Sequence, residues 1–156
     1  MIIMEIKITN RADIYEMAKK PFEKATALIS IADYDDDFVK LDNKPDYLLQ
    51  IGFDDVDNDI FLDLNGKLLP EEKHKMIALK YHIITDEQAS RIAEFINEVK
   101  DKCDILLCQC EHGQSRSAAV AAAVTEHLHQ DGIRIFSSDD YFPNKVVFRK
   151  VYENLK

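Results

Sequence analysis

The amino-acid order predicts a three-layer α/β domain, a central and mainly parallel sheet flanked by helices. Three observations point there. Strand-type and helix-type patterns alternate along the chain, as strand–helix–strand units require. Thr26–Ala32 (TALISIA) and Tyr47–Phe53 (YLLQIGF) are short apolar runs bounded by Asp, Asn and Pro, the pattern of strands covered on both faces. In Ile105–Val120 (ILLCQCEHGQSRSAAV) an apolar strand-type run passes through a short polar loop directly into an alanine-rich helix pattern.

The elements follow in order. Ile2–Ile8 alternates apolar and polar residues after its start and reads as a strand, and Asn10 is placed to cap a short helix reaching Lys20. Between the next two strands, DYDDDFVKLDNKPD lacks the spacing and glycine of a calcium-binding loop and reads as a solvated connection. Asp54–Leu69 is acidic and irregular, with Asn65-Gly66 as a turn. Pro70–Lys80 has helical composition, with Pro in the first turn and Glu71 and Glu72 behind it. A stronger helix begins at Thr85, where Thr-Asp-Glu-Gln offers a capping box and Ala89, Ile92, Ala93, Ile96 and Val99 mark one face. That helix leads into the strand Asp104–Gln109. Beyond the loop, Val120, Val124 and Leu128 share one side of a helix whose alanines allow close approach to a sheet, and Asp131-Gly132 ends it. A last amphipathic segment covers Asn144 to Leu155. With neither an internal repeat nor a domain boundary in the pattern, residues 1–156 read as one domain.

Composition narrows the function. The 156 residues, 46% of them hydrophobic, suffice for one core. A net charge of −9 and a pI near 5.0 set long-range repulsion against nucleic acid and anionic membrane as main partners, so any anion site must work through its local field. MIIMEIKI contains Glu5 and lacks the long apolar core of a signal peptide, and no stretch approaches transmembrane length. Three cysteines, an odd number, fit reduced thiols and a cytoplasmic setting better than a disulfide scaffold.

The polar loop carries the chemistry. At a strand-to-helix junction the first helical N–H groups lack internal partners and the dipole favours negative charge, so an oxyanion is the natural guest. Cys110 opens the loop and Arg116 closes it after five residues. Gly113 lets the backbone fold tightly, Arg116 can grip two phosphate oxygens with its planar fork, and Ser115 and Ser117 supply hydroxyls. A lone cysteine at a helix start is most often a small buried hydrophobe, but core packing has no use for Arg and two serines there. Cys108, two residues earlier, reads as core. A thiolate is the nucleophilic form of cysteine, and a helix start with an adjacent cation favours it.

The order Cys, five residues, Arg, Ser in CEHGQSRS resembles the phosphate-binding loop of the cysteine-based protein tyrosine phosphatases, and its Ser-Arg-Ser ending is most similar to their dual-specificity branch, in its bacterial form. The resemblance implies a protein tyrosine phosphatase-like sandwich and phosphomonoester hydrolysis through a phosphocysteine. Cys110 would be the nucleophile. Glu111, His112, Gly113, Gln114, Ser115 and Arg116 would hold the phosphate, and Ser117 would hydrogen-bond the sulfur and help it leave. No metal or other cofactor is required. Substrates would be phosphorylated proteins or peptides, on tyrosine or on serine/threonine, with inorganic phosphate as product. The family's general acid is an Asp on a movable loop after an upstream strand. Phe53-Asp54-Asp55 resembles its aromatic-x-Asp form and selects Asp55, with Asp54 and Asp57 as neighbours that could serve instead. Asp86 is nearer in sequence but occupies the first turn of a capped helix.

Two departures stand out. Gln109 replaces the His that usually precedes the nucleophile. Asp55 lies 55 positions before Cys110, longer than the family habit, so an inserted stretch such as Asp57–Tyr81 must account for the excess. Gln109 keeps open a phosphate- or phosphopeptide-binding module with little turnover. Cys103, Cys108, Cys110 and His112 raise a thiol-redox or zinc reading, weakened by the strand-interior place of Cys108 and the missing Cys-x-x-Cys knuckle.

Overall fold

The computed structural model describes residues 3–156; Met1 and Ile2, where the first expected strand begins, lie outside the described residues. Four strands, β1 (Glu5–Asn10), β2 (Thr26–Ala32), β3 (Tyr47–Gly52) and β4 (Ile105–Cys110), form one sheet of order β1-β4-β2-β3. Every pairing is parallel. The register sets Asn10 opposite Cys110, Ser30 opposite Gln109 and Ala32 opposite Gly52, so all four carboxyl ends share one edge.

Helices cover both faces of the sheet. On one, α1 (Arg11–Met17) starts where the Asn10 side chain accepts from the Asp13 amide at 2.8 Å, and its Ile14 packs with Leu28, Val39 and Leu107. On the other lie α3 (Asp86–Val99), α4 (Arg116–His129) and α6 (Lys145–Leu155). Thr85 and Gln88 form the reciprocal capping box, and Ala89, Ile92, Ala93, Ile96 and Val99 are all buried. These side chains join Ile29, Ile31, Leu106, Val120, Val124, Val147 and Val151 in the main core. Each fully buried Val or Ile stabilises the fold by about 1.5–3 kcal/mol. Residues along β2 alternate between the two cores, Leu28 to one and Ile29 to the other, which explains its unbroken apolar pattern. The alanines of α4 are fully buried against the sheet and α6, where any larger side chain would hold the layers apart.

Several boundaries differ from the sequence reading. Strand β3 ends one residue early, at Gly52, and β4 both starts and ends one residue late, which brings Cys110 into β4 as its last residue. The residue that ends α4 is Gln130, left-handed at φ 56°, and not Asp131-Gly132. Gly132 has an ordinary φ of −62° and starts the short α5 (Ile133–Phe136). Its lack of a side chain serves proximity instead, because a Cβ there would lie 2.6 Å from the Ala122 carbonyl oxygen. Pro70 stands just before α2 (Glu71–Lys80), at the cap position and not in the first turn. A 3-10 turn at Asn58–Phe61 precedes the Asn65-Gly66 turn, where Gly66 has φ 77° and Leu62 bridges Leu68. No residue of α2 is buried, so the helix enters neither core. Among the described residues no helix is long and apolar enough to cross a membrane.

Candidate active site

Parallel strands that finish on one edge leave their following loops side by side there, and open α/β sheets use that edge for ligands. The loop after β4 is folded hard against β1. Gly113 has φ 70°, and a Cβ on it would lie 2.8 Å from the Thr9 carbonyl oxygen, so both conformation and space demand glycine. The Arg11 amide donates to the Glu111 carbonyl at 3.2 Å. Ser115 occupies the cap position of α4 but gives its helix no side-chain cap; its hydroxyl donates instead to Asp55 Oδ1 at 2.7 Å. The first amides of a 14-residue helix are thus left without a side-chain acceptor beside the loop.

Within this cradle Cys110 is buried, with Sγ 3.1 Å from the Ser117 hydroxyl. Gly113, Arg116 and Ser117 are buried, Ser115 is half-buried, and Glu111, His112 and Gln114 are exposed. Arg116 is only 5% exposed; its Nη1 donates to Asp33 Oδ1 at 2.7 Å and to the Phe53 carbonyl at 2.8 Å. Its buried Nε–H has no partner. A buried donor left unpaired costs about 1–3 kcal/mol, and an oxyanion seated at the start of α4 would satisfy it.

Gln109 is buried directly before Cys110 in the chain. Its Oε1 accepts from the Ser30 hydroxyl at 2.6 Å and its Nε2 donates to the Cys110 carbonyl at 3.1 Å, tying β2 to the base of the loop with neutral groups alone. The other thiols are differently placed. Burial pushes the Cys108 thiol far above its ordinary value, with the neighbouring Cys110 adding to the rise, and burial followed by Asp46 and Asp104 also raises Cys103. Both are therefore protonated and poor nucleophiles at neutral pH.

The acidic residues after β3 divide by their bonds. Asp54 is a staple, accepting the Tyr34 amide at 3.1 Å and the His82 amide at 2.9 Å. Asp57 accepts the Lys145 amide at 3.4 Å. Asp55 reaches the loop itself: Oδ1 accepts from Ser115 and, at 2.9 Å, from Asn144 Nδ2. Asn144 also donates to the Val56 carbonyl and caps α6, accepting the Val147 amide at 3.0 Å. Asp86 stands apart in the first turn of α3, 3.7 Å from Lys150. Above the loop opens a cleft of about 800 Å³, walled by Asp33, Asp55, Ile60 and Tyr81 and floored by Glu111, His112 and Arg116. Of the inserted stretch, Asp57, Asp59 and Ile60 at one end and Lys80 and Tyr81 at the other line this cleft.

Sequence reasoning missed Asp33, Asn144 and Ser30 as members of this network. Asp33 had a signal, since it directly follows β2 at the ligand-bearing edge. Asn144 had the weaker one of a helix-capping residue type at a helix start. Ser30 had the signal of a hydroxyl inside the otherwise apolar run Ala27–Ala32, but nothing in the sequence names Gln109 as its partner.

Solved structures share this arrangement of elements. Human DUSP28 aligns with a TM-score of 0.54 at 11% identity, over 96% of this chain and 90% of that one. A mouse protein assigned to the dual specificity phosphatases, complexed with zinc tungstate, aligns with a TM-score of 0.51 at 15% identity, over 96% of this chain and 80% of that one. The fold is thus the α/β sandwich of the dual-specificity phosphatase type. No family model matches the sequence, and no curated protein does.

Proposed function

We propose that, on this phosphatase-type fold, the chain is a cysteine-dependent phosphomonoester hydrolase of the protein tyrosine or dual-specificity class, working as a single domain in the cytoplasm. The observation that carries the reading is the meeting of Cys110, Ser117 and the unpartnered Nε–H of Arg116 at the uncapped start of α4. A phosphate seated there accepts from the loop amides and from Arg116, whose fork Asp33 and the Phe53 carbonyl already hold in place.

The mechanism follows from these positions. The Cys110 thiolate attacks phosphorus in line, the ester P–O bond breaks, and Asp55 gives its proton to the leaving oxygen. Water then attacks the phosphocysteine. Asp55 takes a proton from that water, and the P–S bond breaks with Ser117 donating to the departing sulfur. Arg116 and the amides of residues Glu111 to Ser115 stay on the equatorial oxygens through both steps. Apart from the attacking water, this chain's own side chains and amides supply every catalytic group in the scheme. Substrates are phosphorylated proteins or peptides, with phosphotyrosine or phosphoserine/threonine as the reacting residue, and inorganic phosphate is the product.

Acid quenching during turnover of an aryl phosphate, without added metal, tests the intermediate. Mass spectrometry is expected to find phosphate on Cys110. Label on another residue, or hydrolysis that a chelator abolishes, would overturn the mechanism.

A further inference from the structure

We infer that the site selects phosphopeptides with Lys or Arg beside the phosphorylated residue; this rests on the phosphatase reading above and names its substrate class. Floor and rim of the cleft have opposite character. At the floor, the buried and unpartnered Nε–H of Arg116 calls for an anion. The cleft lining carries six carboxylates, Asp33, Asp54, Asp55, Asp57, Asp59 and Glu111, against two full cations, Arg116 and Lys80; Asp33 is ion-paired with Arg116 at 2.7 Å and Glu111 lies 3.9 Å from Arg11. Hydrogen bonds hold several of these carboxylates in place, but bonds from neutral amides and hydroxyls, such as those to Asp54 and Asp55, leave the charge standing. Asp59 is exposed. The chain as a whole, at −9, has the same sign and adds to the field instead of cancelling it.

A bare phosphomonoester therefore meets attraction only at the floor and repulsion on the way in. Cationic groups carried alongside the phosphate turn the rim from a barrier into a guide. The cleft has room for them, since about 800 Å³ is near the upper end of ligand-binding pockets and far more than a phosphate fills. Among the described residues the carboxylates do not gather into a group that could hold a metal ion. Their field is spread along the rim, which suits side chains distributed along an extended peptide.

Three phosphotyrosine peptides, identical except for flanking Lys, Ala or Glu, would be compared on the full chain with a small aryl phosphate as reference. At low ionic strength the Lys peptide is expected to exceed the Glu peptide in kcat/KM by about 10-fold or more, within the 10–10³ range that a focused cleft field gives to association. Salt at about 0.5 M should shrink that gap, because exposed charges are then screened within a few ångströms. Asp59→Lys should also narrow it while the variant still hydrolyses the aryl phosphate. Equal kcat/KM for the three peptides, with the aryl phosphate turned over normally, would overturn this inference and leave the phosphatase reading standing. A gap that neither salt nor Asp59→Lys reduces would also overturn it. Failure to hydrolyse any of the four substrates would overturn the phosphatase reading itself, and the peptide preference with it.

Discussion

Cys110→Ser is expected to lower hydrolysis of an aryl phosphate by on the order of 10⁴-fold or more, the scale on which loss of a covalent nucleophile acts. Binding of inorganic phosphate or vanadate should survive. The two effects separate because they arise from different groups. On the proposed reading oxyanion binding would belong to the start of α4 and to Arg116, neither of which the substitution touches. The exchange is also nearly isosteric at a buried position whose side chain is bonded to the Ser117 hydroxyl, a partner that serine can keep, so the loop has no reason to rearrange. What disappears is the ionisable thiol, since a serine hydroxyl at neutral pH is not ionised and no adjacent base is bonded to it. Calorimetry with phosphate and steady-state rates on the same sample check both halves. Retained turnover would remove Cys110 from the chemistry.

Asp55→Asn is the second large effect. General acid catalysis is typically worth about 10²–10⁴-fold, and only where the leaving group is poor enough to need a proton. The variant should lose that factor on a phosphotyrosine peptide, lose the corresponding limb of the pH–rate profile, and lose much less on an aryl phosphate with a very good leaving group. The side-chain oxygen of Asn can still accept from Ser115 and Asn144, so the loop that carries it should stay in place. Asp86→Asn is the control. It changes a helix-start charge and an exposed pairing with Lys150, and should alter stability by about 1 kcal/mol or less with the chemistry nearly intact. Reversed behaviour of the two variants would place the acid on α3. Small effects from both would move the role to Asp54 or Asp57.

What the sequence made legible was local. The capping box at Thr85, the buried face of α3 and the apolar run of β2 each announce themselves within a few residues, because their causes lie within one or two turns or pleats. The loop between β4 and α4 stood out for the same reason, its cysteine, glycine, arginine and serines falling within eight positions. The bonds that orient those residues were not. Arg116 meets Asp33 across 83 positions, Ser115 meets Asp55 across 60, and Gln109 meets Ser30 across 79. Such partners are chosen by strand order, and alternation of strands and helices does not say that β4 inserts between β1 and β2. The end of α4 was misread because glycine is the usual left-handed residue, whereas here Gln130 takes that conformation and Gly132 answers a steric need.

The unburied helix α2 implies a chain with two levels of cooperativity. Amides of Thr26–Ala32, central in the sheet and wholly buried, can exchange with solvent only when the protein unfolds globally. Those of Glu71–Lys80 hang on a helix with no core to lose, so they should exchange through local opening at far lower free energy. A protease should likewise nick this stretch first and leave the sheet folded. The same excursion that bares the helix would widen the mouth of the cleft, since Ile60 and Tyr81 line it from either end of the segment. Thermal fluctuation of this segment would then open the cleft to bulkier groups without disturbing the rigid frame that holds the thiol.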